Sequence, residues 1–116
     1  MKRTAIPKRR SQARRGRVRD PHFMAFCHRT FGCQVAHSGG CGGALTFHHV
    51  KHGWDQKDDT RGLMLCFNHH EHDGGPDALE RMGRVKWQER HRINIELQVQ
   101  MNQQAYEEAG GVLVGA

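Results

Sequence analysis

Two short segments rich in cysteine and histidine constrain the fold of this chain more than any other feature of its sequence. The first is CQVAHSGGC, residues 33–41, and the second is LCFNHH, residues 65–70. Structural zinc sites take about four sulfur or nitrogen ligands in a tetrahedron, and each segment can supply two. The pattern therefore predicts one structural zinc site with the ligands Cys33, Cys41, Cys66 and His69.

A metal site of this kind suits the size and composition of the chain. Its 116 residues are 36% hydrophobic, which predicts one small domain with a thin apolar core. No segment has the ~18 apolar residues that a membrane span needs, and no apolar stretch follows the basic N-terminus. We therefore expect a cytoplasmic protein, in which thiols bind metal rather than form disulfides. The fourth cysteine, Cys27, is expected to be buried on the apolar face of a helix.

The positive charge is concentrated at the N-terminus. The formal net charge is +6, yet residues 1–19 hold nine of the 18 Lys and Arg residues and no acidic residue. Such a segment is expected to be disordered and to bind a polyanion, and we interpret it as a nucleic-acid-binding tail. A merely solubilising terminus is the alternative. The residues assigned to DNA contact are Lys8, Arg9, Arg10, Arg14, Arg15 and Arg17.

The rest of the chain predicts a small α+β domain over residues 20–109 and a C-terminal tail over residues 110–116. Asp20 as N-cap and Pro21 at the first helical position predict a helix over about residues 21–31. The segments ALTFHHV and RGLMLC, separated by a polar and turn-rich stretch, predict the two strands of a hairpin.

Helices are expected after the hairpin. One begins near Asn68, and residues 78–92 predict another, with Leu79, Met82, Val85 and Trp87 near one face. Residues 93–111 alternate like a strand, but Asn94 as N-cap and Gly110 beyond the end favour a helix.

Three further histidines accompany the zinc ligands. If His69 binds zinc, the side chain of His70 is rotated ~100° away around the helix. Strand alternation sends His48 and His49 to opposite faces. A divalent metal held by His70 and one strand histidine, with open coordination positions, would be a catalytic site. Histidines satisfied by hydrogen bonds are the alternative interpretation.

Together these residues resemble the ββα-metal core of the HNH nuclease superfamily, a zinc-stabilised hairpin and helix with flanking helices. The likeness rests on CQVAHSGGC, FHHV and DDTRGLMLCFNHH. It is closer to small phage and prophage HNH proteins, a group that includes the RecA-dependent recombination-enhancement nucleases. Those proteins are also similar in an Asp seven residues before the third zinc ligand, here Asp59, and in Gly83 and Trp87. The resemblance covers about residues 20–108.

The resemblance implies roles for individual residues. His49 would be the general base, with Asp59 orienting it, and His48 and His70 would hold a catalytic Mg²⁺, Mn²⁺ or Zn²⁺. The superfamily often has Asn where Gly62 stands. It also has a further metal ligand where Gly74 stands, which leaves His72 or Asp73 as substitutes.

The sequence thus predicts a monomeric, metal-dependent HNH endonuclease that hydrolyses DNA, encoded by a phage or prophage and acting in the bacterial cytoplasm. A recombinase filament is a candidate partner. Two alternatives stay open, namely a catalytically decayed, zinc-stabilised DNA-binding module and an adaptor for a recombination protein. Gly62 and Gly74 favour the decayed DNA-binding module, whereas the presence of both His49 and His70 favours the enzyme.

Overall fold

The computed structural model describes residues 16–51 and 56–115, which form a small α+β domain. A two-stranded antiparallel sheet carries helices before and after it in the chain. The elements are α1 (Pro21–Thr30), β1 (Leu45–His49), β2 (Gly62–Cys66), α2 (Phe67–His70), α3 (Leu79–Met82), α4 (Arg84–His91) and α5 (Ile95–Glu108), with 3₁₀ turns at Ala36–Ser38 and His72–Gly74.

Helix α1 begins as the sequence predicts. The Asp20 side chain accepts a hydrogen bond from the Phe23 backbone N–H at 3.1 Å, and Pro21 occupies the first turn. A cap of this type contributes about 1 kcal/mol to helix stability. Phe23 and Cys27 are buried on one face of the helix, as expected for Cys27.

The predicted hairpin is confirmed, and strand alternation divides the apolar core. Leu45 pairs with Cys66 and His49 pairs with Gly62 in an antiparallel register. Successive side chains of β2 point to opposite faces of the sheet. Leu63 and Leu65 pack with Val35, Val50, Leu79, Trp87, Ile95 and Val99, while Met64 packs with Phe23 and Cys27.

The backbone N–H of Gln34 and the side-chain amides of Gln34 and Asn102 cover the outer edge of β2. The Gln34 backbone N–H donates to the Met64 carbonyl at 2.8 Å, and the Met64 N–H donates to Gln34 Oε1 at 3.0 Å. Asn102, from α5, donates from Nδ2 to the Gly62 carbonyl at 3.0 Å. These bonds satisfy backbone groups that would otherwise be buried without partners.

The prediction of one continuous helix over residues 78–92 is wrong. Gly83 has φ of 85° and separates α3 from α4. This left-handed conformation suits glycine and ends the helical hydrogen-bond ladder. Leu79 and Trp87 are buried, but Val85, which lies two positions before Trp87 and ~160° away around α4, is 72% exposed.

The ambiguous segment after α4 is a helix, as predicted. Asn94 caps α5 by accepting the Leu97 backbone N–H at 2.9 Å. Beyond this helix, Leu113 packs near Phe23 and the Val114 N–H donates to Asp20 Oδ2 at 2.9 Å. None of the helices within the described ranges has the length and apolar character needed to cross a membrane.

Candidate metal centre and histidine cluster

The four predicted zinc ligands lie together in the structure. His69 Nδ1 is 3.4 Å from Cys33 Sγ, 3.6 Å from Cys41 Sγ and 3.2 Å from Cys66 Sγ. All four candidate ligand atoms lie within 4.8 Å of one another. A tetrahedral zinc with bonds of about 2.0–2.3 Å places its ligands about 3.5 Å apart. The cluster could therefore hold a structural metal such as zinc.

Hydrogen bonds orient the His69 ring for metal binding. Its Nε2 lies 2.9 Å from the carbonyl oxygen of Gly39, which can only accept a proton. The proton of the neutral ring is therefore on Nε2, and the Nδ1 lone pair faces the three sulfurs. Trp87 Nε1 donates to the His69 carbonyl at 3.2 Å, which fixes the backbone of this ligand.

The surroundings of Cys66 favour ionisation of its thiol. Burial opposes ionisation, but hydrogen bonds from the backbone N–H groups of Gly42 and His69 lower the pKa of Cys66 below its ordinary value. The thiolate is the form that binds metal. Three sulfurs and one nitrogen are a common donor set for structural zinc.

The glycines after Cys41 allow its loop to pack closely on the start of α2. A Cβ atom at Gly43, which has φ of 78°, would lie 2.5 Å from Phe67 Cβ. The Asn68 backbone N–H donates to the Gly42 carbonyl at 3.1 Å. Any larger side chain at Gly43 would push the loop and its cysteine away from His69.

A second cluster lies beside the first, where β1 meets α2. The Nδ1 atom of His48 is 3.2 Å from Nε2 of His70. The neighbouring His49 places its Nε2 2.8 Å from Asp59 Oδ1. Burial, and to a smaller extent electrostatic repulsion from His70, lowers the pKa of His48 to about 4. Because this ring is neutral at physiological pH, it can offer a lone pair to a cation.

Asp59 is positioned to orient His49. Its Oδ2 accepts the Asp20 backbone N–H at 3.0 Å, and its Oδ1 also contacts Arg17 at 3.2 Å. Burial raises the pKa of Asp59, but the bonds from His49 and Asp20 and the charge of Arg17 outweigh burial and lower it. An ionised Asp59 holds the proton of a neutral His49 on Nε2. The Nδ1 lone pair of His49 is then available to accept a proton.

Glu71 and Glu80 are candidate ligands that were not predicted from the sequence. With His70 they form a group whose ligand atoms lie within 4.8 Å of one another. The side chains of His72 and Asp73, which the sequence suggested instead, are 64% and 91% exposed. Neither belongs to a candidate metal group among the described residues. Glu71 follows His70 directly, but Glu80 comes from α3 and no spacing rule points to it.

Gly62 has a structural reason to lack a side chain. A Cβ atom there would lie 2.2 Å from the Phe47 ring and 2.8 Å from the His48 carbonyl oxygen. Helix α5 holds this loop instead, because Asn102 binds the Gly62 carbonyl and Gln103 Nε2 donates to the Thr60 carbonyl at 2.6 Å. Asn102 and Gln103 lie far along the chain, and no sequence pattern points to them.

An open cleft of about 260 Å³ exposes the histidine cluster. Its lining includes two basic residues, Lys51 and Lys57, beside His48, His49, His70, Phe47 and Glu80. Of the tail residues assigned to DNA contact, Arg17 lies against Asp59. The others, Lys8, Arg9, Arg10, Arg14 and Arg15, lie outside the described residues.

Searches against protein-family models, curated proteins and solved structures found no match for this chain.

Proposed function

We propose that this protein is a metal-dependent endonuclease of the HNH type that hydrolyses phosphodiester bonds in DNA. One observation carries the proposal, namely that the His49–Asp59 pair lies directly beside the His48–His70 pair in an open cleft. A hairpin followed at once by a helix presents both pairs, with the Cys33, Cys41, Cys66 and His69 cluster at its base. This arrangement supports a ββα-metal core.

The chemistry follows from the positions of these side chains. His49, oriented by Asp59, accepts a proton at Nδ1 from a water that attacks phosphorus. His48 and His70 would hold a divalent cation such as Mg²⁺ or Mn²⁺. When bound, such a cation neutralises the charge that develops on the phosphate and the leaving oxygen. Lys51 and Lys57, at the rim of the cleft, supply positive charge for a polyanionic substrate.

The resemblance to phage and prophage nucleases further supports action on DNA during recombination. The protein would act in the cytoplasm of a bacterial host, and a recombinase filament is a candidate partner. We propose that the protein works as a monomer, because the residues of both clusters come from one chain.

Incubation with DNA tests the proposed activity. Purified protein with its zinc retained is expected to nick or cut supercoiled or single-stranded DNA when Mg²⁺ or Mn²⁺ is added, and to show no cleavage when the added metal is left out. The assay should be run with and without a recombinase filament. Binding without cleavage under all conditions would contradict the enzyme and favour the DNA-binding module or the adaptor.

Truncation of the basic tail tests its role in DNA binding. The truncation should end at residue 15, because Val18 exchanges backbone hydrogen bonds with Lys57 and Asp59 at 3.1 and 3.0 Å. Residues 1–15 carry seven Lys and Arg residues. If these bind phosphates, the truncated protein should bind duplex DNA more weakly. The slope of log K against log salt should flatten by up to ~0.9 for each phosphate that the tail neutralises in the full chain.

Zinc content serves as the control for this truncation and should stay the same as in the full chain. A salt slope equal to that of the full chain would show that the tail does not bind DNA.

A further inference from the structure

Glu80 lies on α3, outside the hairpin and the helix that follows it, yet its carboxylate reaches His70. The Oε2 atom of Glu80 is 3.7 Å from Nε2 of His70. The Oε1 atom accepts the His72 backbone N–H at 3.2 Å, which turns Oε2 towards the histidine. Glu80 is thus oriented by the protein backbone, although its side chain is 48% exposed.

The hydrogen bonds of His70 establish which of its nitrogens is free. Thr46 donates its hydroxyl proton to the Leu65 carbonyl at 3.1 Å, so its oxygen is left to accept from His70 Nδ1 at 2.8 Å. The Glu71 carboxylate also lies 3.0 Å from Nδ1. In the neutral ring the proton is therefore on Nδ1, and Nε2 has only a lone pair.

Three candidate ligand side chains, those of His48, His70 and Glu80, line the same cleft. The Nδ1 atom of His48 lies 3.2 Å and the Glu80 carboxylate 3.7 Å from the free Nε2 atom of His70. Metal ions with bonds of about 2.1 Å place neighbouring ligands about 3.0–3.5 Å apart, depending on geometry. At 3.7 Å, Glu80 is too far from His70 for a hydrogen bond, and a shift of a few tenths of an ångström in its half-exposed side chain brings the two atoms to the spacing of neighbouring ligands.

From this geometry we infer that Glu80 is a third protein ligand of the divalent cation held by His48 and His70. The inference rests on the proposed function for the role of the cation, but the binding itself does not require DNA. Glu71 has a different role, since it lies against Nδ1 and orients the ring. The carboxylate from α3 takes the place of a ligand that the exposed His72 and Asp73 do not provide.

The two glutamates form a matched pair for testing this inference. Glu80→Gln and Glu71→Gln each remove one negative charge next to His70, but only the first removes a ligand. Binding of Mn²⁺ alone is measured by the loss of the free Mn²⁺ signal in electron paramagnetic resonance, on full-length protein that retains its zinc. We expect Glu80→Gln to raise the Kd for Mn²⁺ by at least ~10-fold, since even partners outside the ligand shell contribute 10–100-fold. Glu71→Gln should change it by less than ~3-fold, because the amide oxygen of Gln can still accept the Nδ1 proton of His70 and Thr46 also holds that atom.

The outcomes separate this inference from the proposed function. Three results would overturn the assignment of Glu80. They are wild-type affinity for Mn²⁺ in Glu80→Gln, an equal loss of Mn²⁺ affinity in both variants, and no Mn²⁺ binding by the wild type. Zinc content and circular dichroism show whether a variant is folded, and Glu80→Asp provides a second variant that keeps the charge but withdraws the carboxylate. If the Kd values for Mn²⁺ change as expected but the protein does not cut DNA, Glu80 is supported as a ligand and the proposed nuclease activity is contradicted.

Discussion

Replacing His49 with alanine is expected to lower the rate of DNA cleavage by ~10²-fold or more while leaving the fold intact. A general base contributes this much to a hydrolytic rate. The fold should persist because Asp59, which loses its hydrogen bond to His49, still accepts a hydrogen bond from the Asp20 backbone N–H and still pairs with Arg17. The buried carboxylate is thus not left without partners. The measurement is single-turnover cleavage of supercoiled DNA, with DNA binding and zinc content determined in parallel.

Variants of the cation ligands are the control for this result. His70→Ala, and likewise His48→Ala, should also abolish cleavage, but excess Mn²⁺ should partly restore it by refilling a weakened site. The same excess of Mn²⁺ should not restore cleavage by His49→Ala, because the group that this variant lacks is a proton acceptor. Cleavage at the wild-type rate by His49→Ala would refute its role as the base. Loss of the folded state would show that the histidine is structural.

Removal of the metal from the Cys33, Cys41, Cys66 and His69 cluster is expected to unfold the domain. Structural zinc contributes an apparent binding free energy of about 10–16 kcal/mol. The whole stability of a small domain is about 5–15 kcal/mol, so the metal-free chain should not remain folded. Elemental analysis should find about one zinc per chain after dialysis. Strong chelator, or Cys66→Ser, should abolish both the zinc and the cooperative thermal transition.

Cys27 provides the matched control for the cluster. It is also buried, but it lies in the apolar core with Phe23 and Met64 rather than near His69. Cys27→Ala should therefore lose some stability through the cavity it leaves, yet keep its zinc. A chain that stays folded and free of zinc in strong chelator would refute the structural role of this metal.

Features that depend on neighbouring residues could be predicted from the sequence. Asp20 and Asn94 cap their helices through contacts three residues away, and alternation along β2 separates Leu63 from Met64. Cys33 and Cys41 are found beside Cys66 and His69 because the segments that carry them are joined by the hairpin. The caps and strand faces follow from short-range patterns, and the cluster follows from two short ligand-bearing segments that the hairpin joins.

Features that depend on distant contacts could not be predicted in this way. Glu80 contacts His70 from a separate helix, α3, ten positions along the chain, and the periodicity of residues 78–92 does not reveal that α3 ends before Gly83. Asn102 reaches the Gly62 carbonyl across 40 positions in the chain. Neither interaction produces a periodic pattern or a characteristic spacing in the sequence. Both can be found only once the elements are packed together.

The amide groups that bind the outer edge of β2 also affect how two copies of the protein can associate. An open strand edge invites pairing with a strand of another molecule, which leads to sheet extension and aggregation. Here Gln34 and Asn102 already bind the outward-facing groups of Met64 and Gly62. A foreign strand would have to displace these amides and leave their polar atoms unpaired. This edge is therefore closed to strand exchange, and the small sheet stays within one molecule on that side.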